Sequence, residues 1–205
     1  MHVYVQHGWG YAGLDWSSRI ASLSGVDHVS APCRGYFGPI VEVYDMGAPQ
    51  VLIAHSMGLH WVPDQIWSSV SKALILAPFY QFLGCPPQRE RSVWLRAMQT
   101  RLVRDPAAVI RAFRARCSDK IAQDRPCNAV RLQHDLELLS RSSFDFSKLL
   151  GLEHVLLWHG MDDSVVPCSW TSAWPEVQRM VQEGEGHTPS LQALEAAWRA
   201  LHAAH

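Results

Sequence analysis

The pentapeptide Ala54-His55-Ser56-Met57-Gly58 places a serine directly after an apolar run. Small residues two positions before and two after a serine allow a sharp strand-to-helix turn that exposes its hydroxyl. A serine hydroxyl is a weak nucleophile and needs a neighbouring base. We therefore interpret Ser56 as a candidate nucleophile for acyl transfer, against the alternative of an ordinary turn serine. Alanine at position 54, where glycine is commoner, makes the match looser.

The candidate base and acid follow later in the chain. His187 stands in the sequence Gly-Glu-Gly-His-Thr-Pro, after a predicted strand and before the last predicted helix. The segment His159–Pro167 offers two adjacent aspartates, Asp162 and Asp163. A buried carboxylate would orient the imidazole and stabilise its cation during proton transfer. The residues alone leave both aspartates open as the acid.

Acyl transfer also develops an oxyanion, which two preorganised N–H groups can stabilise. The backbone N–H of Met57, directly after the serine, is one candidate donor. The other is the backbone N–H of Trp9 in His7-Gly8-Trp9-Gly10, where the glycines let the backbone approach closely. The alternative for this tetrapeptide is a plain glycine-rich turn.

Strands and helices alternate around these residues. Apolar runs predict six strands, at Val3–Gln6, Val26–Ala31, Gln50–Ala54, Ala73–Ala77, Val155–Trp158 and Gln178–Gln182. Helices are predicted from an Asp15 N-cap to Leu23, from Leu59 with a kink or restart at Pro63, and over Pro189–Ala204. The alternation predicts an α/β fold with a parallel sheet. The candidate residues all follow strands, at the sheet edge where such folds bind ligands.

Residues 85–150 interrupt the alternation. They contain no convincing strand, and helical spacing covers Val93–Leu102, Pro106–Cys117 and Ala129–Ser140. We predict a core of residues 1–84 and 151–205 with residues 85–150 inserted as a helical lid. The insertion holds 13 Lys and Arg against 7 Asp and Glu, whereas the rest of the chain holds 5 against 12. This contrast suggests that the insertion has a partner of its own.

Composition argues against several other classes of protein. The net charge of −1 argues against a globally basic nucleic-acid binder, and no apolar run is long enough to span a membrane. The eleven histidines form no H-E-x-x-H or H-x-H motif, so no metal site is expected. Five scattered cysteines and a start without signal-peptide character predict a cytoplasmic protein with reduced thiols.

With this set of residues, the chain resembles the α/β-hydrolase superfamily from His7 to Trp198, without the first two strands of larger members. His-Gly-Trp-Gly, the Ser-Met-Gly turn and the basic lid make it similar to the pimeloyl-[acyl-carrier protein] methyl ester carboxylesterases of biotin synthesis. The resemblance implies a catalytic triad of Ser56, Asp163 and His187, with Asp163 favoured over Asp162 by the family pattern. It also implies that the Trp9 and Met57 amides bind the ester oxygen.

The resemblance carries expectations for the lid and the substrate. It implies that five consecutive lid residues line the substrate: Phe113, Arg114, Ala115, Arg116 and Cys117. The expected enzyme is a cytoplasmic, monomeric serine carboxylesterase that needs no cofactor or metal. Its expected partner is an acyl carrier protein docked on the lid arginines, which pair well with acidic and phosphate groups. Two alternatives stay open: a general small-ester or lactone hydrolase, and a non-catalytic module that binds a partner through the lid.

Overall fold

The computed structural model describes residues 1–42, 47–84, 88–119 and 125–203, organised around a central parallel sheet. In chain order the strands are β1 (His2–Gln6), β2 (His28–Ser30), β3 (Cys33–Arg34), β4 (Ile40–Val41), β5 (Val51–His55), β6 (Lys72–Leu76), β7 (His154–Gly160) and β8 (Gln178–Gln182). Six of them form the sheet, in the order β2-β1-β5-β6-β7-β8, and every neighbouring pair is parallel. The short strands β3 and β4 pair antiparallel outside it.

All six predicted strands belong to this sheet, which confirms the predicted α/β parallel fold. The β5 strand lies between β1 and β6, and all five of its residues are buried. Its continuous apolar pattern reflects cover on both faces, as is usual for parallel sheets. Separate hydrophobic clusters lie on the two faces: Val51 and Ile53 point into one, and Leu52 and Ala54 into the other.

The helices are α1 (Gly13–Ala21), α2 (Asp64–Trp67), α3 (Gln88–Leu102), α4 (Pro106–Arg116), α5 (Ala129–Leu139) and α6 (Leu191–Ala203). Three short 3₁₀ helices cover Ser56–Trp61, Phe146–Leu149 and Cys168–Ala173. Helix α1 packs on β1 and β2, and α6 packs on β6 and β7. Ala204, the predicted last residue of the final helix, lies outside the described residues.

The predicted start of α1 needs correction, and α3 begins at Gln88 rather than Val93 and α6 at Leu191 rather than Pro189. Asp15 is not the N-cap of α1, because the helix begins at Gly13 and the Asp15 carboxylate accepts a hydrogen bond from the Ala12 backbone N–H at 2.9 Å. A Cβ at Gly13 would lie 2.3 Å from the Ala31 carbonyl oxygen, so close packing on β2 fixes this start. After Ser56 the chain forms a 3₁₀ helix, and α2 then begins directly after Pro63. Of the two predicted alternatives, the restart at Pro63 is the one observed.

Helices α3, α4 and α5 follow β6 and precede β7, in the segment that the sequence predicts to be a lid, and we keep the name lid for them. The Trp9 indole N–H donates to the Leu132 carbonyl oxygen in α5 at 2.9 Å, which ties the lid to the loop after β1. The predicted start of the insertion at Cys85 lies outside the described residues. Near its predicted end, the Phe144 backbone N–H donates to the Tyr80 carbonyl at 2.9 Å.

Among the described helices, none is both long and apolar enough to cross a membrane.

Candidate active site

Ser56 sits on a strained turn between β5 and the first 3₁₀ helix. Its φ angle is +54°, a left-handed conformation that non-glycine residues rarely adopt. Two positions later, a Cβ on Gly58 would lie 2.4 Å from the Gln6 carbonyl oxygen, so only glycine fits there. The Ala54 methyl group is accommodated inside the core, where its residue is fully buried. The pentapeptide therefore forms the sharp turn that its spacing predicts.

The structure brings three predicted residues into one hydrogen-bonded chain. The Oγ of Ser56 lies 2.9 Å from Nε2 of His187, and Nδ1 of His187 lies 2.7 Å from Oδ2 of Asp163. A carboxylate oxygen can only accept, so His187 carries its proton on Nδ1 and presents Nε2 to the serine as a base. All three residues are buried, with Ser56 7% exposed.

Asp163 is held as a carboxylate by its surroundings. Its Oδ1 accepts hydrogen bonds from the backbone N–H groups of Val165 and Val166, each at 2.8 Å. Burial alone raises the pKa of this carboxyl group, but the charge of His187 and hydrogen bonds from His159, His187 and Val166 outweigh burial. The pKa of Asp163 is therefore held well below its ordinary range. Asp162 is exposed, and its backbone N–H donates to the Glu185 carbonyl at 2.9 Å.

The two expected oxyanion donors flank Ser56. Met57 is the second residue of the 3₁₀ helix, so its N–H belongs to the N-terminal donors that lack a partner inside the helix. The loop containing Trp9 passes close to the serine, since a Cβ on Gly8 would lie 3.2 Å from the Ser56 Cβ. Trp9 and Met57 are both buried. The binding of an oxyanion by these two backbone N–H groups stays a prediction.

A small apolar cavity lies beside Ser56, with a volume of about 20 Å³. This is roughly the space that one water molecule needs. Its lining comes from the Ser56 turn, the loops after β1, β6 and β7, and all three lid helices: Trp9, Ser56, Met57, Phe79, Phe82, Trp94, Met98, Phe113, Leu136, Leu139, Val165 and Val166. A bulky ester can reach Ser56 only when side chains of this lining move.

The five lid residues expected to line the substrate point in different directions. Phe113 lines the cavity, and its ring meets the Trp9 ring edge-on at 4.9 Å. Ala115 is exposed on α4, and Cys117 is fully buried. The Cys117 carbonyl accepts a hydrogen bond from the Thr188 backbone N–H at 3.0 Å. Burial raises the pKa of the Cys117 thiol. Only Phe113 of these three touches the cavity beside the serine.

The two arginines of the same segment have opposite surroundings. Arg114 is 2% exposed, and it donates to the Gly10 carbonyl at 2.9 Å and to the carboxylates of Asp15 and Asp119 at 2.5 Å each. These bonds fasten α4 to the loop that carries Trp9. Arg116 is exposed and donates to the Ser164 carbonyl at 2.8 and 3.0 Å. Neither guanidinium lines the cavity beside Ser56.

Two histidines that the sequence analysis did not assign to the site contact the triad. His55 lies next to Ser56, and its Nε2 is 3.1 Å from the His187 carbonyl oxygen. Burial lowers the pKa of His55 well below its ordinary value, so the ring is neutral and donates from Nε2. The Nε2 of His159 lies 2.6 Å from the Val166 carbonyl and 3.3 Å from Oδ2 of Asp163. The sequence offered one signal for each histidine: His55 directly precedes Ser56, and His159 lies four residues before Asp163.

The arrangement has the parts of a nucleophilic acyl-transfer site. It contains a hydroxyl within hydrogen-bonding distance of an imidazole and a carboxylate that holds the imidazole from its other side. Among residues 1–42, 47–84, 88–119 and 125–203, no cluster of three or more His, Cys, Asp or Glu side chains could hold a metal ion.

Comparison with known proteins supports the fold. No protein-family profile matches the sequence, and no curated protein matches it either. Solved structures do match: an esterase from Exiguobacterium antarcticum superposes with a TM-score of 0.69 at 15% identity, over 98% of this chain and 90% of the esterase. A bromoperoxidase from Bacillus anthracis gives a TM-score of 0.67 at 17% identity, over 98% of this chain and 88% of that one.

A carboxylesterase from Bacillus subtilis is a third similar structure, with a TM-score of 0.62 at 14% identity, over 98% of this chain and 83% of the carboxylesterase. These likenesses show that the chain has the α/β-hydrolase fold, as its sequence resemblance implied. Esterases and a bromoperoxidase share this architecture, so the fold does not choose the reaction. The reaction must be argued from the site itself.

Proposed function

We propose that this protein is a serine carboxylic ester hydrolase. The observation that carries the proposal is the buried chain from Ser56 through His187 to Asp163, with contacts of 2.9 and 2.7 Å. The strained turn at Ser56 adds support, because strained backbone concentrates at functional sites. A non-catalytic module would have no use for a nucleophile, a base and an acid in this order and geometry.

The chemistry follows from the geometry. His187 accepts the Ser56 proton on Nε2 while the serine oxygen attacks the ester carbonyl carbon. The amides of Trp9 and Met57 stabilise the oxyanion, and the alcohol leaves after His187 protonates it. Water then attacks the acyl-serine with His187 again as base, which releases the acid and restores the hydroxyl. The residues present account for each proton.

The substrate that we propose is the methyl ester of pimeloyl-[acyl-carrier protein], within biotin synthesis. Support comes from the sequence resemblance and from the charge of the lid over the site. Six arginines of α3, α4 and the turn between them are exposed and able to contact an acidic carrier protein: Arg89, Arg96, Arg101, Arg104, Arg111 and Arg116. Arg91 and Arg114 are buried, so they do not belong to this docking surface. A general small-ester or lactone hydrolase is the second candidate, favoured by the small cavity beside Ser56.

A fluorophosphonate probe tests the reaction. We expect wild-type protein to be labelled and Ser56→Ala to escape labelling, because the probe needs an activated serine. Ser164→Ala is the matched control, since Ser164 is an exposed serine near Asp163, and it should label normally. A wild type that stays unlabelled, or a Ser56→Ala variant that still labels, contradicts the proposed reaction.

The same preparations test the substrate. We expect turnover of the carrier-linked methyl ester to exceed that of the free methyl ester and to weaken as ionic strength rises, because salt screens exposed charges. The gene should also restore biotin-independent growth to a strain that lacks this esterase. If growth fails while simple esters are cleaved, the substrate proposal is wrong and the ester hydrolase stands.

A further inference from the structure

Three hollows of the protein meet at one side chain, Trp94 on α3. It lines the cavity of about 20 Å³ beside Ser56. It also lines a groove of about 170 Å³ between α3 and α4, and a hollow of about 280 Å³ near the loop after β7. The Trp94 side chain therefore adjoins both the cavity at the serine and two much larger spaces.

The groove between α3 and α4, which we call the α3–α4 groove, adjoins the cavity beside Ser56. Trp94, Met98 and Phe113 line both the groove and the cavity beside Ser56. The complete lining of the groove is mostly apolar: Trp94, Ala97, Met98, Arg101, Val109, Ala112, Phe113 and Arg116. A mostly apolar groove next to a nucleophile suits a hydrocarbon chain.

The surroundings of Trp94 make it the movable part of this wall. It is half-buried, with its ring 6.0 Å from that of Phe82 and 5.4 Å from the Arg116 guanidinium. Met98 and Phe113 are buried in the main hydrophobic cluster, whereas Trp94 packs at the margin of that cluster. A side chain at the margin changes rotamer with less loss of packing than one inside a dense core.

We propose that the α3–α4 groove holds the acyl chain of the ester and that Trp94 determines which chain lengths reach Ser56. This inference rests on the proposed ester hydrolase activity. With Trp94 as it stands, the space beside the serine suits a very short acyl group. With Trp94 displaced, the cavity and the groove join, and a medium-length chain lies along α4. Trp94 is thus a specificity-determining residue.

Substitutions that block or open the passage test this assignment. The readout is the ratio of kcat/KM for p-nitrophenyl octanoate to kcat/KM for p-nitrophenyl acetate, which cancels losses common to both esters. Ala112→Phe fills the groove and should lower the ratio about tenfold, since each buried methylene contributes roughly a factor of four. Thr100→Phe adds the same ring at an exposed residue of α3 outside the groove lining, and it should leave the ratio unchanged.

Trp94→Ala removes the barrier and should raise the same ratio about tenfold. If Trp94→Ala does not fold, Trp94→Leu and Ala112→Phe provide the same comparison with smaller changes in packing. Ratios that stay within about twofold of wild type in the Trp94 and Ala112 variants, while acetate is cleaved, overturn the inference and leave the proposed function intact. A wild type that cleaves neither ester and resists labelling at Ser56 overturns both.

Discussion

At the carboxyl edge of the sheet, sequence spacing predicts where site residues lie in space, whereas in the lid it does so much less well. At the sheet edge, Ser56, Asp163 and His187 meet within hydrogen-bonding distance although they are far apart in the chain. In the lid, five consecutive residues expected to face the substrate have separate surroundings, and only Phe113 lines the cavity at the serine. Parallel strands bring their ends to one edge, whereas a helix turns successive side chains by about 100° each.

The arginines of the lid show the same contrast within one residue type. The eight arginines from Arg89 to Arg116 look equivalent in the sequence, yet the structure buries Arg91 and Arg114 and stacks each on an aromatic ring of the core. The guanidinium of Arg91 lies 3.4 Å from the centre of the Trp170 ring. The guanidinium of Arg114 lies 3.8 Å from the centre of the Tyr11 ring. These two arginines attach the lid to the core, while the exposed ones are available to a partner.

The largest expected effect is a difference in kcat between substitutions of the two neighbouring aspartates at the sheet edge. Asp163→Asn should lower kcat about 10⁴-fold, because an amide in place of the carboxylate favours the wrong His187 tautomer. Asp162→Asn should leave kcat nearly unchanged, since that side chain is exposed. Steady-state hydrolysis of p-nitrophenyl acetate measures both. Equal losses of kcat in Asp163→Asn and Asp162→Asn would contradict the assignment of Asp163 alone as the acid of the triad.

The second prediction separates two arginines of α4. Arg114→Met should lower the free energy of unfolding by about 3 kcal/mol, because it leaves buried carboxylates without their main cation. Arg111→Met, on the exposed side of the same helix, should change it by less than about 0.5 kcal/mol. Urea unfolding at pH 7 measures the difference. Similar midpoints for the two variants would show that Arg114 does not fasten the lid.

The smallest effect concerns pH and the loop after β1. Burial lowers the pKa of His7 to about 4, below the value of about 6.5 expected in the unfolded chain. As pH falls, the unfolded state therefore binds the proton first. The contribution of neutral His7 to the free energy of unfolding is complete above pH 6.5 and is lost as pH falls toward 4. It amounts to at most about 3 kcal/mol.

Urea midpoints between pH 7.5 and 4.5 measure this dependence in wild type and in His7→Asn, whose amide nitrogen can replace Nδ1 as donor to the Gly8 carbonyl. We expect wild type to lose more stability than the variant over this range. Parallel curves would mean that His7 does not titrate out of its buried position.

Much of the fold was predictable because local patterns decide it. Six apolar runs became the six strands of one parallel sheet, and the β8 bounds Gln178–Gln182 agree with prediction. The Ser56 turn was also predictable, since Gly58 fits where a Cβ would collide with β1. The start of α1 was not, because close packing of Gly13 on Ala31 outweighed the capping preference of Asp15.

Residue types and their spacing were enough to predict the sheet, the strained serine turn and the order of the candidate triad, because the first two depend on short-range periodicity or on steric limits and the third on chain order. The three-dimensional packing was needed to show that Arg114 is buried between the lid and the core, that His55 and His159 contact the triad, and that Trp94 lines the cavity beside Ser56. These roles depend on how helices rotate and pack against the sheet. Residue spacing within one helix does not contain that information.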